Sequence, residues 1–138
     1  MRALATTEGP GGTIFAGFVQ PLELIDYYLA TDVYMHPAST DRHPLAVSEA
    51  IYCGKPAIVS ERIGSYGPSD DVQSGVNGFV HALGDIEGMA MAVRRLQDST
   101  LHAQMSEGSH RISRATQAKA HGAALRAVVL GLGLGDAG

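Results

Sequence analysis

Short apolar runs alternate along this chain with stretches in which apolar residues return every three or four positions. The runs Thr13–Val19, Val33–Met35, Ala57–Ser60 and Phe79–Val80 read as short strands, the first of them buried. Between them, Pro21–Ala30 opens on a proline suited to a first helical turn and places Leu22, Ile25 and Leu29 on one face. Leu45–Tyr52 is apolar on most sides, which predicts a deeply packed helix. Gly54 fits the position just past its C-terminus, and Pro56 prevents continuation. Ile86, Met89, Ala90, Val93 and Leu96 recur at helical spacing, and a further helix is expected over about Thr100–Arg114. Strands alternating with helices predict an α/β fold with a parallel, right-handed sheet of about four strands and flanking helices.

The polar stretches divide the chain. Residues 1–12 end in Glu8-Gly9-Pro10-Gly11-Gly12 and read as a flexible lead-in. Residues 61–77 form a long polar loop, a length that is usually functional or disordered, and Asn77-Gly78 signals a turn. The Ala- and Gly-rich tail, 117–138, is expected to carry a weak helix and to fray at Gly131-Leu132-Gly133-Leu134-Gly135. The core domain is therefore expected at 13–116, without repeats and without a second domain.

Composition narrows the function classes. The chain has 138 residues, 45% of them apolar, which suffices for one domain with a real core. A net charge of −4 argues against nucleic acid as a partner. A single cysteine, Cys53, excludes an internal disulfide framework and fits a reducing compartment. The first residues lack the apolar stretch of a signal peptide. The most apolar stretch, Ala123–Leu134, is interrupted by Arg126, Gly131 and Gly133 and falls short of the ~20 residues a bilayer span needs. The expectation is a cytoplasmic, soluble protein. The six histidines are scattered without metal-ligand spacing, so neither a metal site nor a cofactor is expected.

The candidate chemistry lies in Asp41-Arg42-His43-Pro44-Leu45-Ala46-Val47-Ser48-Glu49-Ala50, between the second strand and its helix. Open α/β sheets bind ligands at this strand end. Asp also favours turns, so Asp41 has a structural reading as well. Glu49 interrupts an apolar helix, where a charge is costly unless it is paired or meets a ligand. His36 and His43 lie near the same cleft, where either packing or a hydrogen bond would suit them. In the loop Ser60–Asp71, Gly64 and Gly67 permit close backbone approach.

Gly17-Phe18-Val19, Tyr27-Tyr28, Asp32-Val33-Tyr34-Met35-His36-Pro37, Pro44 to Ala50, Cys53-Gly54-Lys55-Pro56 and Asn77-Gly78-Phe79-Val80 occur in that order. Together they resemble the C-terminal half of a GT-B retaining glycosyltransferase of the family-4 type (glycosyl transferases group 1), from about Ile14 to about Ile112. The resemblance implies a truncated Rossmann-like nucleotide-sugar-binding domain. It implies that Glu49 binds ribose hydroxyls of a nucleoside-diphosphate sugar, as two acceptor oxygens suit. Asp41, one methylene shorter than the family's Glu, would contact the donor sugar near the reacting carbon, either directly at closer range or through water. The amides of His43, Leu45 and Ala46 would meet the diphosphate at a helix N-terminus; Pro44 has no N–H to offer. Val19 would lie near the nucleobase, and Gly64 in a loop lining the cleft.

The same resemblance leaves gaps. The acceptor domain has no counterpart here, nor has the segment where the family carries an Arg and a Lys against the diphosphate. Arg42, Lys55 and Arg62 do not stand at matching positions. The implied reaction is sugar transfer from a nucleoside-diphosphate sugar with retention, with the isolated chain expected to be inactive. Two alternatives stay open. A second polypeptide supplies the missing half of a split enzyme, or the chain is a non-catalytic remnant that binds a partner or homodimerises through an uncovered sheet edge.

Overall fold

The computed structural model describes Thr7, Glu8 and residues 10–131; the expected features at Met1–Thr6, at Gly9 and beyond Gly131 lie outside the described residues. Three parallel strands carry the fold. β3 (Tyr34–His36) pairs with β4 (Ala57–Ser60), and β4 pairs with β5 (Gly78–His81), in the order β3-β4-β5. The register sets Tyr34 beside Ala57, His36 beside Val59, Ala57 beside Gly78 and Ser60 beside His81. β4 is buried along its whole length, and its side chains alternate between two cores, as period-two geometry requires. Ala57 and Val59 join Val47, Ile51, Ile63, Val72 and Ile112 on one face. Ile58 joins Ala92, Leu96 and Met105 on the other.

The flanking helices are α1 (Pro21–Ala30), α2 (Leu45–Tyr52), α3 (Ile86–Arg95) and α4 (Ser99–Gly131). α2 ends as its sequence predicts. Gly54 adopts φ +73°, its amide donates to Ile51 O, and the Lys55 amide donates to Ala50 O, both at 3.0 Å, closing a Schellman motif. The helix packs through one face, with Val47, Ala50 and Ile51 buried while Leu45 and Tyr52 stay exposed, and is less enclosed than its composition suggests. Asp85 caps α3 by accepting from the Gly88 amide at 2.8 Å. α4 supplies Met105 to one core and Ile112 to the other, so a single helix closes both faces of the sheet.

Three local expectations change. The stretch Thr13–Val19 is not a buried strand of the parallel sheet. Only Ile14–Phe15 is extended (β2), paired antiparallel with β1 (Thr7–Glu8) around a tight turn at Pro10–Gly12. Ile14 and Phe15 are 62% and 60% exposed, because a two-strand ribbon has no layer to bury against. On α1, Ile25 and Leu29 face outward, and Tyr28 is the residue that packs inward. The separate helices expected over Thr100–Arg114 and in the tail form one continuous helix, since no proline interrupts α4.

The loop 61–77 is ordered by its own polar groups. Asn77, fully buried, accepts from the Gln73 amide and donates to Asp71 O, each at 2.8 Å. Gly78 follows because a Cβ there would lie 2.0 Å from Ala57 O on β4.

Candidate functional site

β3 ends at His36, and Pro37 turns the chain toward α2. The connection then runs beside the loop that follows β4. The Asp41 amide donates to Arg62 O at 3.3 Å, and the Gly64 amide donates to Asp41 O at 2.8 Å. This prolongs the parallel pairing beyond the strands and fixes the Asp41 backbone. Gly64 is required there, because a Cβ would sit 2.0 Å from Arg42 O. Ser39, Thr40, Asp41, Arg42, Glu61, Arg62, Ile63 and Gly64 line an open pocket of about 570 Å³ at this end of the sheet.

Both Asp41 oxygens are engaged. Oδ1 accepts from the His43 amide at 3.2 Å, an Asx-type turn, and Oδ2 lies 3.1 Å from His36 Nε2. The His43 N–H, expected to face a diphosphate, therefore points at Asp41. Leu45 and Ala46 occupy the first two positions of α2, where N–H groups have no intrahelical acceptor.

Glu49 lies on the open face of α2. Its Oε2 accepts from Tyr28 Oη at 2.8 Å, and no other described residue takes up the carboxylate in a hydrogen bond. Glu49, Tyr28, Tyr52 and Cys53 line a groove of about 280 Å³ with Pro21, Leu24 and Ile25, between α1 and α2. A charge in an apolar helix is thus tolerated by facing a groove and one phenol, not by an ion pair. Ser48, one residue earlier, donates to Asp71 Oδ2 at 2.5 Å and ties α2 to the 61–77 loop.

Between the two carboxylates stands Tyr34. Its ring lies 5.9 Å from that of Tyr28 and stacks 6.3 Å from that of His36. Its Oη is 3.5 Å from His36 Nδ1. Burial, then the nearby charges of Glu49 and Asp41, push the Tyr34 hydroxyl above the ordinary phenol range. Tyr28 is raised further, by burial first and then by its hydrogen bond to Glu49. Burial also raises the Cys53 thiol, with Glu49 adding to the effect and Lys55 opposing it. A continuous line of side chains thus runs Glu49–Tyr28–Tyr34–His36–Asp41.

The two carboxylates singled out in the sequence therefore lie at opposite ends of one connected cluster, with the start of α2 between them in the chain. Gly64 joins the Asp41 end. Val19 does not sit at a strand end; it lies in the irregular segment before α1, four residues after β2 stops. Sequence reasoning missed Tyr28 and Tyr34 and did not assign His36 to Asp41. One signal was available: Tyr34 and His36 are two apart in a strand and so share a face.

Residues 2–117 match the profile of the family described as Glycosyl transferases group 1. A D-inositol 3-phosphate glycosyltransferase from Acidothermus cellulolyticus is 32% identical over 110 residues, covering 79% of this chain and 24% of the relative. The chain thus spans about a quarter of that curated protein. Among solved structures, the C-terminal domain of a glycosyl transferase group 1 family protein from Francisella tularensis superposes with a TM-score of 0.68 at 18% identity, covering 77% of this chain and 54% of that one. Anabaena HepE in complex with UDP-glucose superposes with a TM-score of 0.62 at 23% identity, covering 75% of this chain and 28% of HepE.

Proposed function

The chain belongs to the glycosyl transferases group 1 family, and from that membership we propose that it is a donor-binding segment for sugar transfer from a nucleoside-diphosphate sugar with retention. Glu49 binds the ribose hydroxyls, Asp41 contacts the donor sugar, and the Leu45 and Ala46 amides meet the diphosphate at the positive end of α2. Contact through His43 requires Asp41 Oδ1 to release that amide. Val19 and Gly64 are assigned to the nucleobase side and the cleft loop. Cytoplasmic location completes the proposal.

The observation that carries this reading is Glu49: a carboxylate held by one phenol at 2.8 Å and otherwise presented to a groove between α1 and α2. Cations are scarce where the leaving diphosphate would sit. Arg42 and Arg62 flank the Asp41 pocket, but Asp41 and Glu61 offset their charge in the same pocket. Transition-state stabilisation is therefore weak in the isolated chain, which binds nucleotide without transferring sugar.

Calorimetric titration with UDP, GDP and ADP tests the reading. One of them is expected to bind, and Glu49→Ala is expected to weaken it roughly 10- to 100-fold, the value of one or two charge-assisted hydrogen bonds. No binding of any diphosphate by the native sequence refutes the nucleotide half-site. Release of UDP from UDP-glucose by the isolated chain refutes its incompleteness.

A second reading, a split enzyme completed by another polypeptide, is favoured by β3, which has one strand neighbour among the described residues. Native mass spectrometry after co-purification decides: a lone monomer counts against it.

A further inference from the structure

Two side chains from outside the Asp41–Glu49 segment hold its carboxylates. Tyr28, 7% exposed on α1, donates to Glu49 Oε2 at 2.8 Å. His36, half-buried at the end of β3, places Nε2 3.1 Å from Asp41 Oδ2. We propose that Tyr28 and His36 are positioning residues, Tyr28 fixing Glu49 for the nucleoside and His36 fixing Asp41 for the sugar. The role rests on the donor-binding reading above and goes beyond it by assigning separate control of the two ends of the donor.

The geometry supports the division. A carboxylate accepts hydrogen bonds and does not donate them when ionised, so His36 Nε2 carries the hydrogen in its contact with Asp41. In the neutral ring Nδ1 is then the acceptor, and the atom facing it is Tyr34 Oη, a donor, at 3.5 Å. Tyr34 thus favours one tautomer and holds the imidazole plane by stacking at an interplanar angle of 15°. Asp41 is gripped from two directions, by His36 on Oδ2 and the His43 amide on Oδ1, which fixes its carboxylate plane. Glu49, by contrast, is gripped on one oxygen, leaving Oε1 for a ligand. The ring of Tyr34 separates the two clamps without a hydrogen bond to Tyr28 or Glu49, so losing one clamp leaves the other in place.

The test is a double dissociation measured by calorimetry with UDP and UDP-glucose on the full chain. His36→Ala is expected to abolish the extra affinity that glucose adds over UDP while leaving the UDP affinity within about twofold, and His36→Gln, which restores an N–H donor, to recover part of it. Tyr28→Phe is expected to weaken UDP and UDP-glucose by the same factor, roughly 3- to 10-fold for one hydrogen bond. Nitrogen-15 NMR is expected to find the Nε2–H tautomer at His36. An Nδ1–H tautomer, equal loss of UDP and UDP-glucose in His36→Ala, a preserved glucose increment in that variant, or no increment in the native chain each overturns the assignment. Absence of nucleotide binding by the native chain overturns the donor-binding reading itself, and the roles with it.

Discussion

Replacing Asn77 with alanine is expected to destabilise the fold by about 3 kcal/mol and to loosen the candidate site without touching it. The side chain is fully buried, and each of its polar atoms has a partner at 2.8 Å, the Gln73 amide and the Asp71 carbonyl. Truncation leaves both backbone groups unpaired. Each buried orphan costs roughly 1–3 kcal/mol, and their place in a loop admits some water, which favours the lower half of the summed range, about 3 kcal/mol. With a urea dependence of roughly 1.5 kcal/mol per M for a domain of this size, the midpoint of unfolding falls by about 2 M. The loss does not unfold a domain of ordinary stability. The Asp71 side chain also accepts from Ser48 on α2, so releasing the Asp71 backbone loosens a tether one residue from Glu49. The assay is urea unfolding followed by circular dichroism, with hydrogen exchange read at the Gln73 amide. A midpoint shift under about 0.5 M with unchanged exchange at Gln73 refutes the reasoning, since the loop would then be held by something else.

Gly78→Ala places a Cβ against the Ala57 carbonyl at 2.0 Å and is expected to cost more than about 2 kcal/mol; a variant as stable as the native chain in urea unfolding contradicts so close an approach of β4 and β5. Tyr28 and Tyr34 have hydroxyls raised above the ordinary phenol value, so their contribution to stability is full below pH about 10 and is lost as pH climbs through the raised folded-state values. Urea midpoints should therefore hold up to about pH 10 and fall above it, less steeply in Tyr28→Phe; phenolate absorbance from both rings in folded protein at pH about 10 would contradict this. Cys53 lines the Glu49 groove with its thiol raised by burial, so iodoacetamide should modify it slowly, faster in Glu49→Gln and more slowly with bound nucleotide. Mass spectrometry reads the rates, and a rate indifferent to both changes separates Cys53 from the site.

Local signals located the elements whose ends they mark. Pro21 opens α1, and Gly54 with Pro56 closes α2, because each acts on its own backbone and needs no distant partner. The strand β4 followed from its apolar run, and its burial came with the structure. Burial of Thr13–Val19 did not follow, since an apolar strand is buried only where a layer meets it. Continuity of α4 was hidden by glycines, which weaken a helix yet are tolerated where space demands them. Gly108, inside the helix already expected over Thr100–Arg114, shows the tolerance: a Cβ there would lie 2.3 Å from Val76 O. In the candidate site, Asp41 and Glu49 were legible through a spacing within one segment. Their holders were harder to read, because Tyr28 reaches Glu49 across 21 positions, a pairing that only the tertiary fold creates.

The position of α4 bears on the order in which the molecule is made. Met105 and Ile112 complete the two cores, and Ser109 Oγ binds the Lys55 carbonyl at 2.8 Å just behind α2. A chain emerging from the ribosome presents Asp41 and Glu49 long before these residues exist. Until they arrive, Val47 and Ile51 have the β4 side of their core, Ala57, Val59, Ile63 and Val72, without Ile112 to close it. Ligand competence thus comes late in synthesis: a chain halted before Ile112 would contain every proposed contact residue, with Tyr28 and His36 to hold Glu49 and Asp41, and still lack the α4 side of the core on which α2 rests.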